Sequence, residues 1–185
     1  MRALSGRRGG KPLTRRVAVS PTHDSVDAWE ALRLVVEWIK HAETKAAVTL
    51  GTTGVLGGAL YSLVASQRRP SVAFGLAAAA CACWLLVAAF SASMALRPRL
   101  QRRQVPSNLV YFEHVARRFP VDPDVYVEAF SALLSDPPRL VTTIATQIWA
   151  NSHVARQKYR WSSVGLFSLL AGALAIAAAA TIVAL

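Results

Sequence analysis

Charged residues are missing from long parts of the chain, and this absence decides the class of protein. No Asp, Glu, Lys or Arg occurs in residues 46–67, 70–96 or 161–185, which contain 22, 27 and 25 residues. A helix needs about 20 mainly apolar residues to cross the ~30 Å hydrocarbon core of a bilayer. All three stretches meet that length. The sequence therefore predicts an integral membrane protein with three transmembrane helices rather than a soluble domain.

Residues that catalyse reactions or bind metals are few and scattered. The four histidines stand far apart, and there is no H-E-x-x-H or G-x-S-x-G motif and no paired Cys–His spacing. The cysteines, Cys81 and Cys83, are two positions apart, so on a helix they project to opposite sides and an internal disulfide is disfavoured. We therefore predict that the protein is not an enzyme and has no catalytic or metal-binding residues.

The first 23 residues contain no acid, six Lys or Arg, three Gly and two Pro. They also lack the apolar core of a secretory signal. This composition predicts a disordered basic tail. Basic residues beside a membrane helix are attracted to anionic lipid, so we expect the tail to lie against the bilayer and to bind neither DNA nor RNA.

The distribution of basic residues predicts the orientation in the membrane. Nine Lys or Arg occur in 1–45, two in 68–69, ten in 97–160 and none after Arg160. Loops rich in Lys and Arg stay in the cytoplasm. The N-terminus and residues 97–160 are therefore expected in the cytoplasm, with the turn at 68–69 and the C-terminus outside.

The predicted fold class is all-α, because no segment alternates between apolar and polar residues as a strand does. An amphipathic pattern at 24–45 meets the apolar run at Ala46 without a helix breaker, and a second such pattern runs from Leu140 past Trp161. The first and last helices are therefore expected to continue into the membrane. The predicted divisions are a tail (1–23), an amphipathic cytoplasmic helix (24–45), transmembrane helices (46–67, 70–96 and 161–185) and a small cytoplasmic helical sensor region (97–160).

Gly54 and Gly58 form a G-x-x-x-G pair within the first apolar run. Small residues at this spacing let another membrane helix approach closely, so that van der Waals packing holds the two together. Two interpretations remain open: a packing seam within one chain, or a contact between subunits.

The region 97–160 contains the candidate binding residues. Asn108, Tyr111 and His114 are three residues apart and are expected to share one face of a short helix that begins at 106–108. Asn and Tyr offer hydrogen bonds and a flat surface for a base, and the nearby Arg102 and Arg103 can pair with a phosphate. Capping and packing explain the first three residues equally well, and a lipid-facing cluster explains the arginines.

Three motifs occur in a defined order relative to the predicted spans: WIKHAETKAA at 38–47, Pro98-Arg99 followed by NLVYF at 108–112, and QIWANSHVARQKY at 147–159. In this order they resemble the membrane-spanning effectors of Pycsar, the pyrimidine cyclase system for antiphage resistance in bacteria. The resemblance covers about residues 29–175. That family often has an aspartate before the lysine of the first motif, where this chain has Glu43-Thr44-Lys45.

The resemblance implies a cyclic pyrimidine nucleotide (cCMP or cUMP) as activating ligand, made by a partner pyrimidine nucleotide cyclase. It implies a homo-oligomer in the bacterial inner membrane that impairs the lipid bilayer and causes abortive infection and cell death. The alternative hypothesis is a passive membrane anchor or assembly subunit without a nucleotide ligand. The residues expected to bind the ligand are Lys45, Arg102, Arg103, Asn108, Tyr111, His114 and Asn151.

Overall fold

The computed structural model describes residues 21–98, with side chains from Asp24 onward, and residues 108–184. In these ranges every regular element is a helix, in the order α1 (Pro21–Ala65), α2 (Val72–Leu96), α3 (Phe112–Arg118), α4 (Pro123–Leu134) and α5 (Pro137–Ala184). The all-α prediction is confirmed. The predicted tail, apart from the first residues of α1, lies outside the described residues, as do Arg102 and Arg103.

Helices α1, α2 and α5 are each long and apolar enough to cross a membrane. α1 contains 45 residues and α5 contains 48. At 1.5 Å per residue they are about 68 and 72 Å long, more than twice the ~30 Å hydrocarbon core. Each helix therefore has enough length for one span and a similar length outside it. This confirms the prediction that the first and last helices continue unbroken into the apolar runs.

The two long helices run parallel to each other. Near their starts, Leu32 of α1 belongs to the same core cluster as Leu140 and Ile144 of α5. Towards their ends, Leu60 of α1 clusters with Leu169 of α5. Residue numbers therefore increase in the same direction along both helices, so α1 and α5 are parallel. α2 follows α1 after a short turn and packs antiparallel against both.

Small residues pack where the polar and apolar parts of the helices meet. Ala46 of α1 and Ala92 and Ala95 of α2 are fully buried in one cluster, with Trp161 of α5 packed against it. The Trp161 ring also meets the Phe90 ring edge-on at 6.2 Å between centroids. The three long helices therefore already touch closely at the level where they enter their apolar runs.

The glycines that permit close helix packing lie on α5. A Cβ added at Gly172 would lie 3.0 Å from Leu85 Cδ2, and one at Gly165 would lie 3.5 Å from the Ala88 carbonyl oxygen. At Gly54 and Gly58 no described residue lies within 4 Å of an added Cβ. Among the described residues the pair therefore forms no packing seam, and a contact between subunits remains the hypothesis for it.

Both cysteines of α2 are free, Cys81 buried and Cys83 exposed, so they are not joined to each other. The Cys81 thiol donates to the Gly172 carbonyl oxygen over 3.3 Å. This contact is possible because residue 172 has no side chain to hold the helices apart. It adds a polar link to the α2–α5 interface.

Candidate functional site

Asn108 closes a tight turn before α3. Its Oδ1 accepts the Val110 N–H at 2.8 Å, and its Nδ2 donates to the Thr143 carbonyl oxygen at 3.1 Å and to Gln147 Oε1 at 3.2 Å. A short side chain that bonds its own backbone two residues on competes with helix formation. The predicted helix from 106–108 onward is wrong for the described residues, because residues 108–111 are not helical and α3 begins only at Phe112.

His114 and Tyr111 pack beside this turn. The buried His114 ring accepts the Asn108 backbone N–H at Nδ1, over 2.9 Å. The half-buried Tyr111 ring meets the His114 ring edge-on, with 5.0 Å between centroids. The three residues predicted to act together do lie together. The turn at 108–111 brings them together; they do not share one face of a helix as predicted.

Gln147 extends this cluster to Asn151 along α5. Its Oε1 accepts from Asn108, and its Nε2 donates to Asn151 Oδ1 at 3.0 Å. Gln147 is buried, so both ends of its amide need partners inside the protein. Sequence analysis missed this residue, although it stands one helical turn before Asn151 in the third motif. We call Asn108, His114, Gln147 and Asn151 the amide network.

Replacing Asn108 with Ala should destabilise the cytoplasmic part by about 2–3 kcal/mol, since the buried Gln147 Oε1 and the Val110 N–H both lose the partner that Asn108 provides. Asn151→Ala is the matched control. It removes only one hydrogen bond, at a partly exposed position, and should destabilise the protein less. The free energy of unfolding of the full chain in detergent, followed by circular dichroism, measures both. Equal effects of the two variants would contradict a central role for Asn108.

Lys45 lies away from the amide network. Its Nζ stands 5.7 Å from the centre of the Tyr159 ring, in a cation–π contact between α1 and α5. Tyr159 follows Asn151 by eight residues, which is about 12 Å along a helix. The structure therefore brings together Asn108, Tyr111, His114 and Asn151, and it places Lys45 nearer to the apolar runs.

A buried ion pair joins α1 to α5 close to Lys45. Lys158 Nζ donates to Glu43 Oε1 over 2.6 Å; the lysine side chain is 4% exposed and the glutamate 41%. An ammonium group this deeply buried needs a paired anion. The pair holds the two long helices together a few residues before the charge-free run of each begins. Sequence analysis missed Lys158, although both residues lie in the quoted motifs.

These positions can be compared with known proteins. Residues 27–185 match the family model described as the Pycsar effector protein domain. The chain is 35% identical over 150 residues to the Pycsar effector protein PtPycTM of Propioniciclava tarda, covering 78% of this chain and 74% of that protein. It is 42% identical over 53 residues to the Pycsar effector protein MePycTM of Micromonospora echinofusca, covering 29% of this chain and 90% of that protein. No solved structure matches the chain.

Proposed function

Because this chain belongs to the Pycsar effector family and is thus an antiphage defence effector, we propose that it detects a cyclic pyrimidine nucleotide and then impairs the bacterial inner membrane. In this proposal the ligand is cCMP or cUMP made by the partner cyclase. Damage to the membrane kills the infected cell before phage mature. The protein itself catalyses no reaction.

The proposed arrangement has three spans, formed by α1, α2 and α5, with the N-terminus and residues 97–160 in the cytoplasm. Two observations support it. The basic residues concentrate in 1–45 and 97–160, as cytoplasmic segments do. The parallel course of α1 and α5 lets both helices leave the cytoplasm in the same direction, with α2 as the returning span. The C-terminus then lies outside.

The observation that carries the proposal is the continuity of α1 and α5 from the polar part into the apolar part. A ligand shifts a conformational equilibrium only by binding one state more tightly than the other. Here a nucleotide that binds beside the amide network and prefers a different angle between α1 and α5 must displace the apolar ends as well. No separate linker is needed to transmit the change.

The proposed damage comes from assembly of several copies or from distortion of the bilayer. The three apolar runs contain no charged residue, whereas selective ion pathways usually include such groups. A homo-oligomer is supported by the Gly54–Gly58 pair, where no described residue lies within 4 Å of an added Cβ. Such a face lets a second copy approach closely.

Titration of cCMP and cUMP against the full chain in lipid nanodiscs tests the proposal. Calorimetry should show saturable binding of at least one of them and none of cAMP. The same nucleotide should release dye from liposomes that contain the protein. Correctly folded protein that binds neither pyrimidine would favour the passive anchor and overturn the proposal.

Tyr111→Ala should weaken nucleotide binding about tenfold, because it removes the exposed part of an aromatic surface on which a base can stack. Arg103→Ala should weaken binding through loss of a phosphate contact. Phe112→Ala is the control. It removes an adjacent ring that is 65% exposed but is not among the proposed binding residues, so it should leave the affinity unchanged. Unchanged affinity in the first two variants would remove both residues from the site.

A further inference from the structure

A cavity of about 620 Å³ lies between α1 and α5, and none of the residues of the amide network lines it. α1 contributes Trp38, and α5 contributes a stripe of residues between 152 and 164. The members of that stripe recur at three- and four-residue spacing, so they lie on one face of the helix. Most of the lining is apolar, and Arg156 and Arg160 provide its cationic groups.

The two arginines have no carboxylate partner among the described residues. All ten Asp and Glu of the chain lie within the described ranges. The ion pairs among these residues, Arg117–Glu113 and Lys158–Glu43, use other cations. Arg156 and Arg160 stand one helical turn apart on the cavity face, and both are exposed. The cavity therefore presents two neighbouring guanidinium groups to a ligand from outside the chain.

The cavity extends from the polar part of α5 into its apolar part. Arg160 is the last charged residue of the chain, and Val164, also in the lining, already belongs to the apolar run. The stripe from 152 to 164 is about 18 Å long. On the topology proposed above, this is the level of the cytoplasmic headgroups. Trp38, 54% exposed, stands at the same level, where aromatic rings favour the interface.

We propose that this cavity binds one anionic phospholipid. The phosphate diester lies between Arg156 and Arg160, because guanidinium groups match phosphate oxygens in charge and geometry. The Ser163 hydroxyl faces the same cavity as a further hydrogen-bonding group, and an acyl chain lies beside Val164. Basic pockets between membrane helices on the cytoplasmic side accept anionic headgroups in this way.

A cyclic nucleotide is also a phosphate diester, but two observations favour the lipid. The lining is mainly apolar, as an acyl chain requires. The cavity also continues to Val164, beyond the last charged residue of the chain. A bound lipid would touch both α1 and α5 next to the Glu43–Lys158 pair. The composition of the bilayer would thus influence how firmly the two helices are held together. This inference does not depend on nucleotide sensing.

Native mass spectrometry of the full chain in detergent, titrated with phosphatidylglycerol or phosphatidylcholine, tests the proposal. One phosphatidylglycerol per chain should be retained in preference to phosphatidylcholine. The double variant Arg156→Gln/Arg160→Gln should weaken that binding about 25-fold, since each basic residue near the surface contributes about fivefold. The control Arg68→Gln/Arg69→Gln removes the same charge from the α1–α2 turn and should bind normally.

A second measurement does not depend on the folding of the Arg156→Gln/Arg160→Gln variant. Phosphatidylglycerol with brominated acyl chains should quench tryptophan fluorescence more than brominated phosphatidylcholine, and Trp38→Phe should abolish the difference. Equal retention of the two lipids, or equal loss in both arginine double variants, would overturn the proposal. So would cCMP or cUMP binding that requires Arg156 and Arg160 while phosphatidylglycerol does not compete. Failure of both nucleotides to bind anywhere would leave the lipid result intact.

Discussion

Replacing Glu43 with Ala is expected to destabilise the protein by about 2–3 kcal/mol, although the glutamate itself is 41% exposed. The effect arises from its partner. Lys158 is 4% exposed, and without Glu43 its ammonium group stays buried with no anion beside it. Removing one member of a fully buried pair costs about 3–5 kcal/mol, and the partial exposure of Glu43 lowers that figure.

Replacing the other member of the pair should destabilise the protein less. Lys158→Met removes the buried charge and keeps most of the side-chain volume, while the half-exposed Glu43 remains solvated. The double variant Glu43→Ala/Lys158→Met should therefore be more stable than Glu43→Ala alone, because no charge is left unpaired. Unfolding of each variant in mixed micelles gives the four free energies of the cycle. A double variant as unstable as Glu43→Ala would show that the ion pair is not the cause.

Replacing Gly165 with Leu should destabilise the apolar part by about 3 kcal/mol or prevent its folding, because overpacking at a close helix contact forces the backbone apart. A Cβ at this position would already stand 3.5 Å from both the Ala88 carbonyl oxygen and the Ala92 nitrogen of α2. These are backbone atoms, so they cannot move aside as a side chain can. The atoms beyond Cβ therefore have to displace α2.

Gly58→Leu is the matched control, since it makes the same change in another apolar run, at a position where no described residue lies within 4 Å of an added Cβ. Its free energy of unfolding as a monomer in detergent should stay near that of the unsubstituted chain. Cross-linking in membranes then tests the hypothesis of a contact between subunits. If it is right, Gly58→Leu should give lower yields of both dimers and larger oligomers than the unsubstituted chain. Equal destabilisation by Gly58→Leu and Gly165→Leu would contradict the packing described for α5.

The amide network, the Glu43–Lys158 pair and the proposed lipid cavity all lie along α5, which they connect to the turn before α3 and to α1. Asn108 ties the turn before α3 to α5. Glu43 and Trp38 connect α1 to α5 nearer the apolar run. On the function proposed above, a ligand in the cytoplasmic part acts on a helix whose apolar part also packs closely against α1 and α2.

The sequence alone was enough to predict the fold class, the three apolar runs and the continuity of α1 and α5. These features depend on local properties. Stretches without charge that exceed 20 residues identify helices able to cross a membrane, and an amphipathic pattern without a breaker before Ala46 predicts one continuous helix. The close grouping of Asn108, Tyr111 and His114 was also predicted, although the turn that produces it was not.

Only the tertiary structure decided which residues meet across the chain. Glu43 and Lys158 are 115 positions apart, and nothing in either motif indicates that they pair. Gly54 and Gly58 have the more conspicuous spacing, yet the close contacts occur at Gly165 and Gly172. The cavity beside Arg156 and Arg160 also depends on which residues of α1 and α5 stand opposite each other, since Trp38 of α1 lines it. Periodicity shows which face of a helix is apolar, but the register between helices depends on the packing of all their side chains together.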